Sequence, residues 1–100
     1  MPNRNYKKGY RYERKTMSKL FELGYLPLRM AGSHSPFDVI GIGERDIKLI
    51  QVKSTKKKLT DSVIHSYKEE KILKKIKVPR NCSKEIWIYG NREFKKLIIK

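Results

Sequence analysis

The chain has 100 residues, 38% of them hydrophobic, with 6 Gly and 4 Pro, which suits one small core and excludes a low-complexity polymer. No apolar run nears the roughly 18 residues of a membrane span, and the basic opening MPNRNYKKGY leads into no apolar signal segment, so a cytoplasmic setting is expected. With 25 Lys and Arg against 10 Asp and Glu the formal charge is +15, which points to a polyanion as partner, while the lone Cys82 excludes an intrachain disulfide and a cysteine-built zinc site.

The first predicted element is a helix from about Lys8 to Leu23, with Tyr10, Met17, Leu20 and Phe21 on one face and Gly24 as its stop. Arg11, Arg14, Lys15, Lys19 and Glu22 fall toward solvent. Glu13, three residues after Tyr10 and four before Met17, puts a carboxylate on the core side of that stripe. Such an acid is either a boundary residue paired with a lysine or a functional group. Tyr25 to Met30 reads as a short strand, and Pro27 suits a sheet edge or the start of a strand. The loop Ala31-Gly32-Ser33-His34-Ser35-Pro36 can bring backbone N–H groups and hydroxyls to a phosphate, although such loops also join strands with no other role.

Phe37 to Ile42 and Ile47 to Lys53 flank the turn Gly43-Glu44-Arg45-Asp46, the pattern of a hairpin. Setting Ile42 opposite Ile47 places Ile40 opposite Leu49 and Asp38 opposite Gln51. Side chains alternate along a strand, so Lys53 shares the face of Gln51, and Asp38, Gln51 and Lys53 converge at the open end of the hairpin. A solvated strand end is the plain reading of that triplet, and a one-residue slip would scatter it.

After the basic run Lys56-Lys57-Lys58, Thr60 or Asp61 caps a predicted helix to about Ile76, with Pro79 beyond it. Glu85 to Tyr89 and Phe94 to Ile99 read as strands joined through Gly90-Asn91, with Trp87 and Tyr89 as core or interface residues and His65 as structural. The order is one helix, three strands, one helix and two strands: a mixed α/β domain spanning 1–100, whose first three strands form a meander and whose second helix crosses to a further strand.

Glu13, Asp38, Gln51 and Lys53 together make the inventory of a metal-dependent nuclease. Phosphodiester hydrolysis calls for a divalent cation that polarises the phosphoryl oxygen and acidifies the attacking water; Mg²⁺ suits a few oxygen ligands and retained waters, with Mn²⁺ as a substitute. In this reading Asp38 is the primary ligand, Gln51 a neutral second one, Glu13 a ligand directly or through water, and Lys53 orients the water or stabilises charge on the phosphate.

The segments GYRYER and AGSHSPFD, together with the D-x12-Q-x-K hairpin, resemble the PD-(D/E)xK nuclease superfamily, specifically its archaeal-type Holliday junction resolvases. The matching positions are Glu13-Arg14, Arg29, Gly32-Ser33, Asp38 and Gln51-Val52-Lys53. The resemblance implies a restriction-endonuclease-like αβββαβ core with a mixed central sheet flanked by helices, and a homodimer acting on four-way DNA junctions. It adds Ser33 to the catalytic group, in a loop that approaches the scissile phosphate. Arg11, Arg14, Arg29, Ser35, Lys56, Lys57 and Lys58 are the expected nucleic-acid contacts. Two departures stand out. Gln51 replaces an acid, a variant that resembles Mrr-like restriction endonucleases, and the chain is shorter than typical resolvases.

Four readings follow: a junction resolvase, an Mrr-like duplex nuclease, an inactive DNA-binding module of the same fold, and an RNA-binding protein. Charge alone supports the last, and it leaves Glu13 and the Asp-Gln-Lys group without a role. A membrane-surface protein would need a basic amphipathic helix, which Lys68 to Lys77 meets only in part.

Overall fold

The structure, a computed structural model, describes the backbone of residues 4–30 and 35–100, with side chains from Tyr10 onward in that range. It opens with helix α1 (Arg4–Glu22). Gly24 ends this helix at φ +90°, a conformation that only glycine adopts without strain. Its N–H donates to the Phe21 carbonyl (3.0 Å) and the Tyr25 N–H to the Leu20 carbonyl (2.9 Å), the paired bonds of a Schellman stop.

The buried stripe of α1 differs from the expected one. Thr16 and Leu20 are fully buried, whereas Phe21 is 72% exposed and Tyr10 lies at the rim. A polar residue hides in the core because its hydroxyl is satisfied twice: Thr16 Oγ1 donates to the Tyr12 carbonyl (2.9 Å) and shares a 2.7 Å hydrogen bond with the Tyr89 hydroxyl. The helix therefore rests on the 12-16-20 line, spaced by four residues, and Phe21 is turned outward.

Strands β1 (Leu26–Arg29), β2 (Val39–Ile42), β3 (Ile47–Ser54), β4 (Cys82–Tyr89) and β5 (Phe94–Ile99) form one mixed sheet in the order β1-β2-β3-β4-β5. The β2–β3 hairpin has the expected register, with Ile42 opposite Ile47 and Ile40 opposite Leu49. β3 and β4 run parallel and the other pairs antiparallel, so the connection between them is the expected crossover. Pro27 lies in the edge strand β1, where its missing N–H costs no ladder bond.

The crossover is not one continuous helix but two short ones, α2 (Asp61–Ile64) and α3 (Glu69–Lys74). Thr60 caps α2 by accepting from the Val63 N–H, as expected. Ser66 Oγ then donates to the Val63 carbonyl (2.6 Å), a side-chain bond that competes with the helical ladder where the chain turns.

One sheet face packs Val39, Ile50, Trp87 and Tyr89 against Leu20 of α1. The other packs Ile86, Ile88 and Ile99 with Phe37, Leu59 and Leu73 on the α2–α3 side. Trp87 and Tyr89 are thus core residues. Gly41 allows α1 to approach closely, since a Cβ there would lie 2.8 Å from a Leu20 methyl. No described helix is long and apolar enough to cross a membrane.

Candidate active site

The carboxyl ends of the parallel pair β3 and β4, a usual place for sites in α/β sheets, lie beside the start of β2. Asp38 precedes β2, and its N–H donates to the carbonyl of Ile50 (2.8 Å), the residue paired with Val39, so the hairpin bulges by one residue at this end. Its Oδ2 accepts from the Val52 N–H (2.9 Å) and from Gln51 Nε2 (3.0 Å). The side chains of Asp38 and Gln51 are therefore bonded to each other, although the strand register ends one residue short of them at Val39 and Ile50.

Lys53 follows on the same face as Gln51, but its ammonium is held from the other side, by Glu69 Oε2 of α3 at 2.7 Å. Glu69 was not among the residues singled out in the sequence. Read as part of one long lysine-rich helix it looks like a solvated charge, and only the break at 65–68 turns the first turn of α3 toward β3. The signal available was the acidic pair Glu69-Glu70 within a basic stretch.

Glu13 approaches from the α1 layer, and its Oε1 accepts from Arg29 Nε at 2.8 Å, with both side chains partly buried. Arg29 also lies over the Tyr10 ring at 4.5 Å, and Arg14 lies 5.8 Å from the same ring. The acid on the inner face of α1 thus has an arginine partner from β1 rather than a lysine.

These placements set the electrostatics. Burial raises the pKa of Asp38 above the usual carboxylate value, and the nearby charges of Glu13 and Glu69 add to it, against the opposing Val52 N–H and Lys53. For Glu69, burial also disfavours the charge, but the hydrogen bond from Lys53 leads the effects that together hold its pKa low. A part-buried carboxylate whose charged form is disfavoured in this way is stabilised by a cation bound beside it.

The donor chemistry suits one kind of metal. Among the described residues no group of three His, Cys, Asp or Glu converges, so there is no closed cage of the sort that holds structural zinc. Asp38 supplies a carboxylate with both hydrogen bonds on Oδ2, and Gln51 supplies an amide that can turn its oxygen inward. One or two protein oxygens are what Mg²⁺ asks for when it keeps most of its waters. Glu13, engaged by Arg29, fits the water-mediated role.

Of the remaining expected residues, Ser33 lies outside the described residues. Ser35 Oγ accepts from the Phe37 N–H (3.1 Å) and shapes the entry to β2. Arg11, Arg14, Lys56, Lys57 and Lys58 are exposed, and the Lys57 N–H is tied to Thr55 Oγ1 (3.1 Å) just beyond β3.

The family model described as archaeal Holliday junction resolvase (hjc) matches residues 4–95. Among solved structures the chain is similar to Hjc of Archaeoglobus fulgidus, a Holliday junction resolvase from an archaeal hyperthermophile: TM-score 0.66 and 19% identity over 92% of this chain and 73% of that one. That likeness supports the α/β fold, consistent with a restriction-endonuclease-like core. No curated protein matches the chain.

Proposed function

The chain belongs to the archaeal Holliday junction resolvase family, and from that premise we propose that it is a Mg²⁺-dependent endonuclease that cuts four-way DNA junctions as a homodimer. The observation that carries the site assignment is the bonded pair Asp38–Gln51 with Lys53 beside it, at the carboxyl end of β3. Asp38 and Gln51 would hold the metal, with Glu13 reaching it through water. Bound there, Mg²⁺ supplies Lewis acidity for the phosphoryl oxygen and a more acidic water.

The chain's own groups do the rest. Lys53 carries a positive charge at the point where negative charge grows on the transferring phosphoryl group, which stabilises the transition state more than the bound substrate. Glu69 fixes the direction of that ammonium and acts as a positioning residue. Arg14, Arg29 and the Lys56-Lys57-Lys58 run hold phosphates, and Ser33 and Ser35 belong to the loop facing the substrate. A twofold pair of such sites suits symmetric cutting of opposite strands. The unit of action is one nuclease domain over 1–100, in the cytoplasm, and Mn²⁺ replaces Mg²⁺ there.

The test is incubation of the protein with synthetic four-way junctions, linear duplex and single strands, in Mg²⁺ or EDTA. Paired nicks in the junction alone, only with Mg²⁺, are expected. Equal cutting of duplex would favour the Mrr-like reading. Tight binding without cutting in any metal would leave a DNA-binding module disarmed by Gln51.

A further inference from the structure

Around the end of the sheet from Lys53, on the α1 face, α1 and the β4–β5 turn enclose an open cleft of about 750 Å³. Arg11, Lys15 and Lys19 line one wall at intervals of four residues, so they stand in a row along α1 roughly 6 Å apart. Lys56 and Arg92 line the opposite side. Glu93 is the acid among the described lining residues, and its Oε2 is already used by the Leu59 N–H (3.1 Å). The cleft is therefore strongly cationic, and nothing in the site described above accounts for Lys15, Lys19 or Arg92.

The floor decides what the cations can read. Tyr12, Tyr89 and Phe94 pack on one another, with ring centres 5.1 and 4.8 Å apart. Their open faces are covered from within: Lys15 lies about 6.0 Å from the Tyr12 ring and 5.9 Å from Tyr89, and Lys19 4.6 Å from Phe94. Bases have no free aromatic platform there, whereas phosphates meet a row of ammonium and guanidinium groups. At the rim, Arg92 is held at φ 61°, a conformation that glycine adopts more easily, so the turn presents a charge where the backbone alone would favour none.

Thr55, two residues beyond Lys53, donates its N–H to the Tyr89 carbonyl (2.9 Å) and lines the cleft, so cleft and catalytic group share one end of the sheet on opposite faces. We propose that this cleft is a second nucleic-acid subsite, which grips the phosphate backbone of a DNA arm other than the one cut at Asp38 and Lys53. The inference rests on the junction-resolvase reading and deepens it, because a branched substrate can occupy both faces at once and a straight duplex arm cannot.

The experiment measures fluorescence anisotropy of a labelled synthetic four-way junction, and of a linear duplex with the sequence of one arm, against salt concentration in EDTA. Lys15→Ala/Arg92→Gly should weaken junction binding about tenfold or more and lower its log–log salt slope by about two, with a smaller effect on the duplex. Lys15→Arg should keep the wild-type values. Arg92→Gly alone relaxes the turn, so it should lose junction affinity without lowering Tm, which separates charge from folding. Equal weakening for junction and duplex, or no change in either, overturns the proposal. The wild type's cleavage is scored separately: if it cuts nothing, the nuclease reading falls, while a junction-selective loss in the double variant still upholds the cleft.

Discussion

Lys53 Nζ sits 2.7 Å from Glu69 Oε2, joining the end of β3 to the first turn of α3 across 16 residues of sequence. Both side chains are largely withdrawn from water, so the pair fixes a direction rather than merely balancing charge. Glu69→Gln should lower single-turnover junction cleavage about tenfold, while junction affinity stays constant or rises as a negative charge is lost. A purely structural role would change Tm and leave the rate at saturation alone. The lowered pKa of Glu69 means that its stabilising contribution is present above the unfolded carboxylate value and is lost as pH falls through the folded one.

Lys53→Ala should reduce cleavage by about two to three orders of magnitude, the scale of removing one electrostatic group at a transition state. Junction affinity should hardly change against 25 basic residues. Lys57→Ala, in the exposed run beyond β3, should instead give slightly weaker and less salt-sensitive binding. Parallel loss of binding in both variants, with single-turnover rates untouched, would show that Lys53 is a DNA contact and nothing more.

Asp38→Asn should separate stability from activity. Because burial leads the causes that raise the pKa of Asp38, the folded chain favours its protonated form. That contribution is complete below the unfolded pKa and is lost as pH rises through the folded value, so the ionised group burdens the fold at neutral pH. The amide oxygen can still accept from the Val52 N–H. Thermal melts should give a higher Tm than wild type at pH 7, with the gap closing toward pH 3, and junction cleavage should disappear. A lower Tm at pH 7 would contradict the electrostatic account.

Gln51→Glu replaces a hydrogen bond of 3.0 Å to Asp38 with two facing carboxylates. Like charges at that distance should lower Tm in EDTA, and millimolar Mg²⁺ should restore it far more than it affects the wild type. If the melt ignores Mg²⁺, these two residues are not the metal donors. If cleavage appears only in this variant, the wild-type chain is a binding module.

Glu85 is fully buried, yet every oxygen is used. Oε1 accepts from Trp87 Nε1 (2.9 Å), and Oε2 accepts from Ser83 Oγ (2.8 Å) and Lys48 Nζ (3.0 Å). Glu85→Ala strands an indole N–H in the core and leaves Lys48 without its acid, at a cost of about 2–4 kcal/mol. Denaturant unfolding should show this as a drop in midpoint with the slope unchanged. Glu85→Gln, which keeps most of the hydrogen bonds, should cost less.

The β2–β3 hairpin, its register and the meeting of Asp38 with Gln51 were legible in the sequence, because alternation and a four-residue turn leave few ways to pair two short strands. So were the stop at Gly24, the edge position of Pro27 and the parallel crossover. All of these follow from backbone conformation and hydrogen bonding over a short stretch of chain. What the tertiary structure decided depends on partners far apart in sequence. Thr16 could be buried only because Tyr89 arrives to bond it, and that burial turned Phe21 outward. Glu13 took Arg29 as its partner, and Glu69 reached Lys53 only after the expected long helix broke in two. A charged side chain carries no periodic mark of the group it will meet. Its role depends on which layers pack together, and packing is a property of the whole chain.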